Sequence, residues 1–291
     1  MRDDDLDQLV RLRTTRPQAV AEAAATRRRP GSVLGEHGRL MMIAADHPAR
    51  GALRAGADPL AMGDRRELLD RLCTALSRPG VNGVLGTADV LDDLLLLGAL
   101  DGKVVVGSMN RGGLVGAVFE LDDRFTAMDA ASIAAAGYQG GKMLTRIDLA
   151  DPASVRTLEA SAHAVSDLAR HGLMAMVEPF LSSRVDGAVR NELTPEAMVK
   201  AATVAAGLGT TSAHTWLKLP VVDEMERVCA ASTLPALLLG GEVGADQDAA
   251  FAAWEKALAL PTVQGLVIGR SLLFPPDGDV AAAVDVAVGL L

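Results

Sequence analysis

The chain holds 28 basic residues, and only five of them are lysine: Lys103, Lys142, Lys200, Lys218 and Lys256. Lys218 stands inside the apolar run Thr215-Trp216-Leu217-Lys218-Leu219-Pro220-Val221-Val222, and Lys142 inside the run 141–147. Arginine would serve equally for solubility, ion pairs or gripping phosphate, but its guanidinium stays protonated. Only lysine offers a primary amine that can shed its proton in a desolvated site and attack a carbonyl. Lysines kept for strand interiors, in a chain so sparing of them, point to imine chemistry. One such lysine alone would more simply be a strand-end side chain reaching back to water, so the argument turns on its companions.

Several other polar residues fall at the ends of apolar runs. Asp46 and His47 follow Leu40–Ala45, Arg146 and Asp148 follow Lys142, and Glu178 closes Met176-Val177-Glu178-Pro179. Gly240-Gly241-Glu242 and Gly269-Arg270-Ser271 end two later runs. Singly these are weak signals, since a strand-end Asp caps a helix as often as it catalyses. Two lysines, an Asp and a Glu meeting at one place would form a working set. An imine-forming lysine must first become neutral, which desolvation and a second nearby cation favour. Lys142 is suited to be that cation, Asp46 to orient or balance the pair, and Glu178 to shuttle protons during dehydration and C–C cleavage. Gly240, Gly241 and Gly269 allow backbone N–H groups to approach a phosphate, with Arg270 alongside. The plainer reading of these glycines is tight turns.

The elements that must bring these residues together repeat along the whole chain. Apolar runs occur at 40–45, 81–85, 103–108, 141–147, 173–177, 216–221, 236–239 and 263–268. They are apolar throughout rather than alternating, as strands buried on both faces should be. Amphipathic, Ala-rich stretches lie between them, at 64–77, 152–170, 194–207 and 246–258. Eight strands alternating with helices predict a single (β/α)8 barrel over 1–291. An extra helix is expected at 6–26, capping the bottom, and the eighth helix at 279–291. In this fold active sites gather at the C-terminal ends of the strands, where the polar residues stand. No Gly-x-Gly-x-x-Gly turn joins a strand to a helix, and around Gly141-Lys142 the P-loop pattern fails at Ala136 and Met143.

Composition closes off other classes. Hydrophobic residues make up 49% of the chain and aromatics 3%, so the core is built from aliphatic side chains. A net charge of -9 argues against nucleic acid or an anionic membrane as partner, and an anionic substrate needs a local positive site. No run of about 18 apolar residues predicts a membrane span, and the acidic opening Met1-Arg2-Asp3-Asp4-Asp5 lacks a signal-peptide core. Arg27-Arg28-Arg29 reads as a solvated helix end. Cys73 and Cys229 read as reduced, buried thiols on helices. Only His47 of the five histidines ends a strand, so neither a metal nor any other cofactor is expected. Tyr138, the sole tyrosine, reads as a packing residue. A cytoplasmic homo-oligomer is expected.

The order of residues resembles the class I aldolases of the fructose-bisphosphate, tagatose-bisphosphate and deoxyribose-phosphate superfamily. In the bisphosphate branches an Asp on strand one, a Lys on strand four, a Glu on strand five and the imine-forming Lys on strand six make the site. Asp46, Lys142, Glu178 and Lys218 occupy those strands in that order. Asp46-His47 is similar to the Asp-His-Gly opening of the archaeal-type branch, with Pro48 in place of glycine. The deoxyribose-phosphate branch has a lysine on strand seven, which here offers Gly240-Gly241-Glu242. The vertebrate-type pattern has a strand-three lysine, whereas Lys103 begins that strand and Arg111 follows it, within reach of a substrate. The overall likeness is to an actinobacterial barrel family associated with inositol catabolism. That resemblance implies cleavage of 5-dehydro-2-deoxy-6-phosphogluconate to dihydroxyacetone phosphate and malonate semialdehyde, with Arg50, Arg111, Arg146 or Arg184 meeting the carboxylate. Other class I aldolase substrates, a lysine-dependent acyl-transferring barrel and a non-enzymatic sugar-phosphate-binding barrel are the alternatives. Lys218 turned away from Lys142 would favour the last.

Overall fold

The apolar runs become strands that close on themselves. A computed structural model of the chain describes residues 4–35, 38–241 and 246–291. The strands are β1 (Leu40–Ala45), β2 (Gly83–Gly86), β3 (Val104–Ser108), β4 (Gly140–Ile147), β5 (Met174–Val185), β6 (Ala188–Asn191), β7 (Thr215–Pro220), β8 (Ala236–Leu239) and β9 (Val263–Ile268). All but β6 are parallel neighbours in chain order, and β9 returns to pair with β1, so eight strands close a (β/α)8 barrel. The strand carrying Lys218, sixth around the barrel, is β7 in this numbering.

The helices are α1 (Asp5–Thr15), α2 (Ala19–Thr26), α3 (Arg65–Ser77), α4 (Ala88–Leu96), α5 (Ala130–Ala135), α6 (Ser154–Arg170), α7 (Pro195–Ala206), α8 (Met225–Cys229), α9 (Gln247–Leu258), α10 (Arg270–Leu273) and α11 (Val280–Gly289). Caps mark several starts: Asp64, Thr194, Asp246 and Asp279 each accept a backbone N–H from the first turn of α3, α7, α9 and α11. The main core lies between strands and helices, while a second cluster fills the barrel interior. Cys73 is half-buried in α3 and Cys229 buried in α8. No helix among the described residues is long and apolar enough to cross a membrane.

Three sequence expectations need correction. The N-terminal helix is two, because Pro17 drives Arg16 to φ -148 and ψ 61 and breaks the run. Arg27 is not a solvated helix end: it is buried and donates to the carbonyls of Leu100, Lys103 and Gly137 at the barrel's bottom. Carbonyl oxygens have two lone pairs, and Arg27 adds a donor beside the Lys103 N–H on Leu100 and the Gln139 side chain on Gly137. Val33 and Leu34, just beyond, pack into the interior cluster, and Tyr138 lies buried with the Arg27 guanidinium 5.6 Å from its ring. Finally, strand five does not end at Glu178. It runs on to Val185 and turns at Asp186-Gly187 (φ 50 and 80) into the antiparallel β6. Asp-Gly with both residues at positive φ is a favoured hairpin turn.

Candidate active site

Side chains alternate across a strand, so a residue two places beyond an inward-facing one faces inward as well. Leu40, Met42 and Ala44 of β1 belong to the barrel interior, and Asp46 continues their row. Met174 and Met176 of β5 lead in the same way to Glu178, and Trp216 of β7 leads to Lys218. Below the mouth the interior is apolar, and the first polar layer above it is ionic.

That layer is a connected set. Lys218 Nζ donates to Glu178 Oε1 at 2.7 Å, while Lys142 Nζ pairs with the other oxygen, Oε2. Lys142 Nζ also donates to Asp46 Oδ2 at 3.0 Å, and Arg111 Nη1 reaches that oxygen at 3.2 Å. Ser108 Oγ donates to it at 3.4 Å. Lys142 and Asp46 are 1% exposed and Lys218 3%, so these charges persist only because they are paired. Lys218 faces Lys142 across one carboxylate, which is the opposite of the arrangement that would favour a mere binding barrel.

Burial alone would raise the pKa of Glu178, but Lys142 and then Lys218 outweigh it and hold the group below the usual carboxylate range. Asp46 behaves likewise: burial opposes ionisation, while Arg111 and Lys142 lead the charges that hold it well below its ordinary value. Lys142 is pushed down to about 8, first by burial and next by the cation of Arg111, against Asp46 and Glu178. His47, with Nδ1 3.8 Å from Asp46 Oδ1, is pushed by burial to about 3 and is a neutral imidazole at physiological pH.

A cavity of about 780 Å³ opens above this layer. Gly240, Gly241, Gly269 and Arg270 line it together with Asp46, Lys142, Glu178, Lys218 and Arg111. Space requires two of the glycines, and backbone conformation favours the third. A Cβ on Gly269 would stand 2.6 Å from the Ala44 carbonyl oxygen, one on Gly240 would stand 2.8 Å from Ser271 Oγ, and Gly241 has φ +68. Glu242 lies outside the described residues. Lys103 is at the far end of the barrel, its Nζ donating to the Val81 carbonyl at 2.5 Å.

Of the arginines raised by the sequence, Arg50, Arg111 and Arg146 line the cavity and Arg184 does not. Arg184 donates instead to the carbonyl of Val118. Sequence reasoning missed the acids that hold Arg146, Glu120 and Asp123, with Nη2 2.6 Å from Asp123 Oδ1. It also missed the wall formed by β6, where Val189, Arg190 and Asn191 line the cavity. The Asp186-Gly187 turn was the available signal for that wall. Among the described residues no group of His, Cys, Asp and Glu is placed to hold a metal ion.

The closed (β/α)8 barrel is the fold of solved class I fructose-bisphosphate aldolases. A solved Schiff-base-forming fructose-1,6-bisphosphate aldolase matches at TM-score 0.66 and 17% identity, over 93% of this chain and 99% of that one. An archaeal fructose 1,6-bisphosphate aldolase matches at TM-score 0.64 and 16% identity, over 93% and 99%. At such identities the likeness is one of fold. The chain itself belongs to the Cgl0159-like family, whose profile matches residues 38–288. The crystal structure of Cgl0159 from Corynebacterium glutamicum is 54% identical, with TM-score 0.97 over 100% of this chain and 97% of that one. No curated protein matches the sequence.

Proposed function

We propose that the protein is a class I lyase that cleaves a phosphorylated keto compound through an imine on Lys218. The observation that carries this reading is the single carboxylate of Glu178 joining the amines of Lys142 and Lys218 in a buried mouth. Glu178, held ionised, takes a proton from Lys218, whose nitrogen pair then bonds the ketone carbon. The two protons that the amine gives up are relayed through Glu178 to the former carbonyl oxygen, which departs as water and leaves an iminium with Glu178 again ionised. Glu178 next accepts the proton of the hydroxyl two carbons away. The bond between the α carbon and the hydroxyl-bearing carbon breaks with its electron pair moving toward the iminium, which releases an aldehyde and leaves an enamine. Protonation of the enamine and hydrolysis of the resulting imine return Lys218. Lys142, fixed between Asp46 and Glu178, keeps a cation beside the reacting carbon. Asp46, ionised by Arg111 and Lys142, holds that cation in place.

For the phosphate we assign the backbone of Gly240, Gly241 and Gly269 with Arg270 close by, since barrels often bind phosphate at the loops after their last two strands. Charge supports an anionic ligand. Among the described residues the cavity is lined by six arginines and two lysines against Asp46, Glu120 and Glu178, which is 8 − 3 = +5, in a chain of net charge -9. The substrate we favour is 5-dehydro-2-deoxy-6-phosphogluconate. Parallel assays with that compound, fructose 1,6-bisphosphate, tagatose 1,6-bisphosphate and deoxyribose 5-phosphate decide it, and a highest kcat/KM on deoxyribose 5-phosphate would refute the choice.

A second reading has its own support: Lys142 is the amine pushed down to about 8, closer to the neutral form that attacks a carbonyl. Borohydride reduction in the presence of dihydroxyacetone phosphate, followed by peptide mapping, separates the two. Label on the Lys218 peptide is expected, label on the Lys142 peptide transfers the role, and label on neither ends the imine reading.

A further inference from the structure

The arginines at the mouth are not equivalent. Arg146 gives Nε and Nη2 to Asp123 and the Glu120 carbonyl and faces Glu120 Oε1 with Nη1 at 3.6 Å, so its charge is matched by two acids of the loop after β3. Arg111 uses Nε on the Asn110 carbonyl and Nη1 on Asp46, yet its Nη2 is buried and lacks a hydrogen-bond partner among the described residues. Arg50 closes the 3-10 turn at Pro48–Arg50 after β1, and its Nη1 is likewise buried without a hydrogen-bond partner among the described residues. The two loops touch, for Val115 N donates to the Arg50 carbonyl at 2.9 Å. Burial first, then the neighbouring cations Arg146 and Arg111, push Arg50 down to about 10.

Buried guanidinium donors without acceptors are unfavourable, and like charges drawn together add to the cost. One oxyanion answers both conditions, because it accepts several N–H bonds and cancels the repulsion. The phosphate turn at Gly240 and Gly269 belongs to β8 and β9. Arg111 comes from the loop after β3, on the other side of β1, and Arg50 reaches toward it.

We propose that Arg50 and Arg111 form a second oxyanion subsite, which takes a carboxylate or phosphate at the end of the substrate remote from the glycine turn. The natural ligand is then a ketone with an anionic group at each end. Identification of its other end rests on the function proposed above, but the subsite stands on the two unfilled donors.

Calorimetric titration with dihydroxyacetone phosphate, fructose 1,6-bisphosphate and 5-dehydro-2-deoxy-6-phosphogluconate tests it on wild type, Arg50→Met and Arg50→Lys. Losing a charge-assisted bond should weaken the two-ended ligands about tenfold or more relative to dihydroxyacetone phosphate in Arg50→Met. Arg50→Lys, which keeps the charge but not the fork, should recover part of that loss. Whichever two-ended ligand suffers more identifies the oxyanion, and either result supports the subsite. Equal weakening of all three ligands, or none, overturns it. Borohydride trapping on wild type is run in parallel. Selective weakening without an imine would leave the subsite and remove the aldolase reading, and an imine without selectivity would do the reverse. Circular dichroism confirms that each variant is folded before it is counted.

Discussion

Replacing Glu178 with Gln keeps the shape of the mouth and removes one charge. Asp46 and Glu178 now supply two negative charges to Lys142, Lys218 and Arg111, a local excess of +1 that becomes +2 in the variant. Lys142 keeps Asp46, but Lys218 loses its carboxylate partner, and the amide NH2 must face one of the two ammoniums. A buried charge left without its partner costs about 3 kcal/mol, which for a chain of this size lowers the melting midpoint by roughly 5 °C. Turnover should fall further, on the order of 10²-fold or more, as expected for a lost acid–base group. Because Glu178 supports the charged form of Lys142, the titration near 8 should also move down in the variant. Steady-state kcat and KM, single-turnover imine trapping and calorimetric melting read these three effects. Turnover within threefold of wild type, or a loss confined to KM, would refute the proton-shuttle role of Glu178.

Lys142 gives a pH test of sign. Its folded value of about 8 lies below the ordinary 10.5, so between those limits the folded protein has released a proton that the unfolded chain still holds. Stability should rise with pH across that window, while kcat/KM falls above about 8 if Lys142 must stay cationic. A rate that climbs through 8 would make Lys142 the nucleophile. Gly269→Ala drives a Cβ against the Ala44 carbonyl oxygen at 2.6 Å and should raise KM for phosphorylated ketones roughly tenfold, or 1.4 kcal/mol. An equal rise for unphosphorylated analogues would place the phosphate elsewhere. Turnover should survive EDTA, and loss restored by Zn²⁺ would replace the imine mechanism with a metal-dependent one.

The barrel was legible because its strands are largely buried on both faces and therefore read as mostly apolar runs, Leu40–Ala45 without a break. Charged residues inside such runs are conspicuous, which is why Asp46, Lys142, Glu178 and Lys218 could be named and do share one cluster. What the sequence hid depends on distant pairing. Arg146 looked as available as Arg50, but Asp123 and Glu120, more than twenty residues earlier, already hold it. Arg27 looked solvated because the carbonyls that bury it lie 73 to 110 residues away. The β5–β6 arm was hidden differently, since Pro179 after Glu178 suggested a strand end, while the Asp186-Gly187 turn lay beyond the apolar run.

That arm gives the fold a modular freedom. β5 is a single ribbon: its residues as far as Leu181 pair with β4 as a stave of the barrel and present Glu178, and its last four leave the barrel to pair with β6. The β6 residues that wall the cavity, Val189 to Asn191, belong to no other ladder of the sheet. A change in their length or side chains would therefore leave untouched the register that holds the two lysines and their shared acid. On the function proposed above, reach and reactivity would be carried by different parts of one strand, so that a change in the size of the ketone accepted would need no change in the residues beneath it.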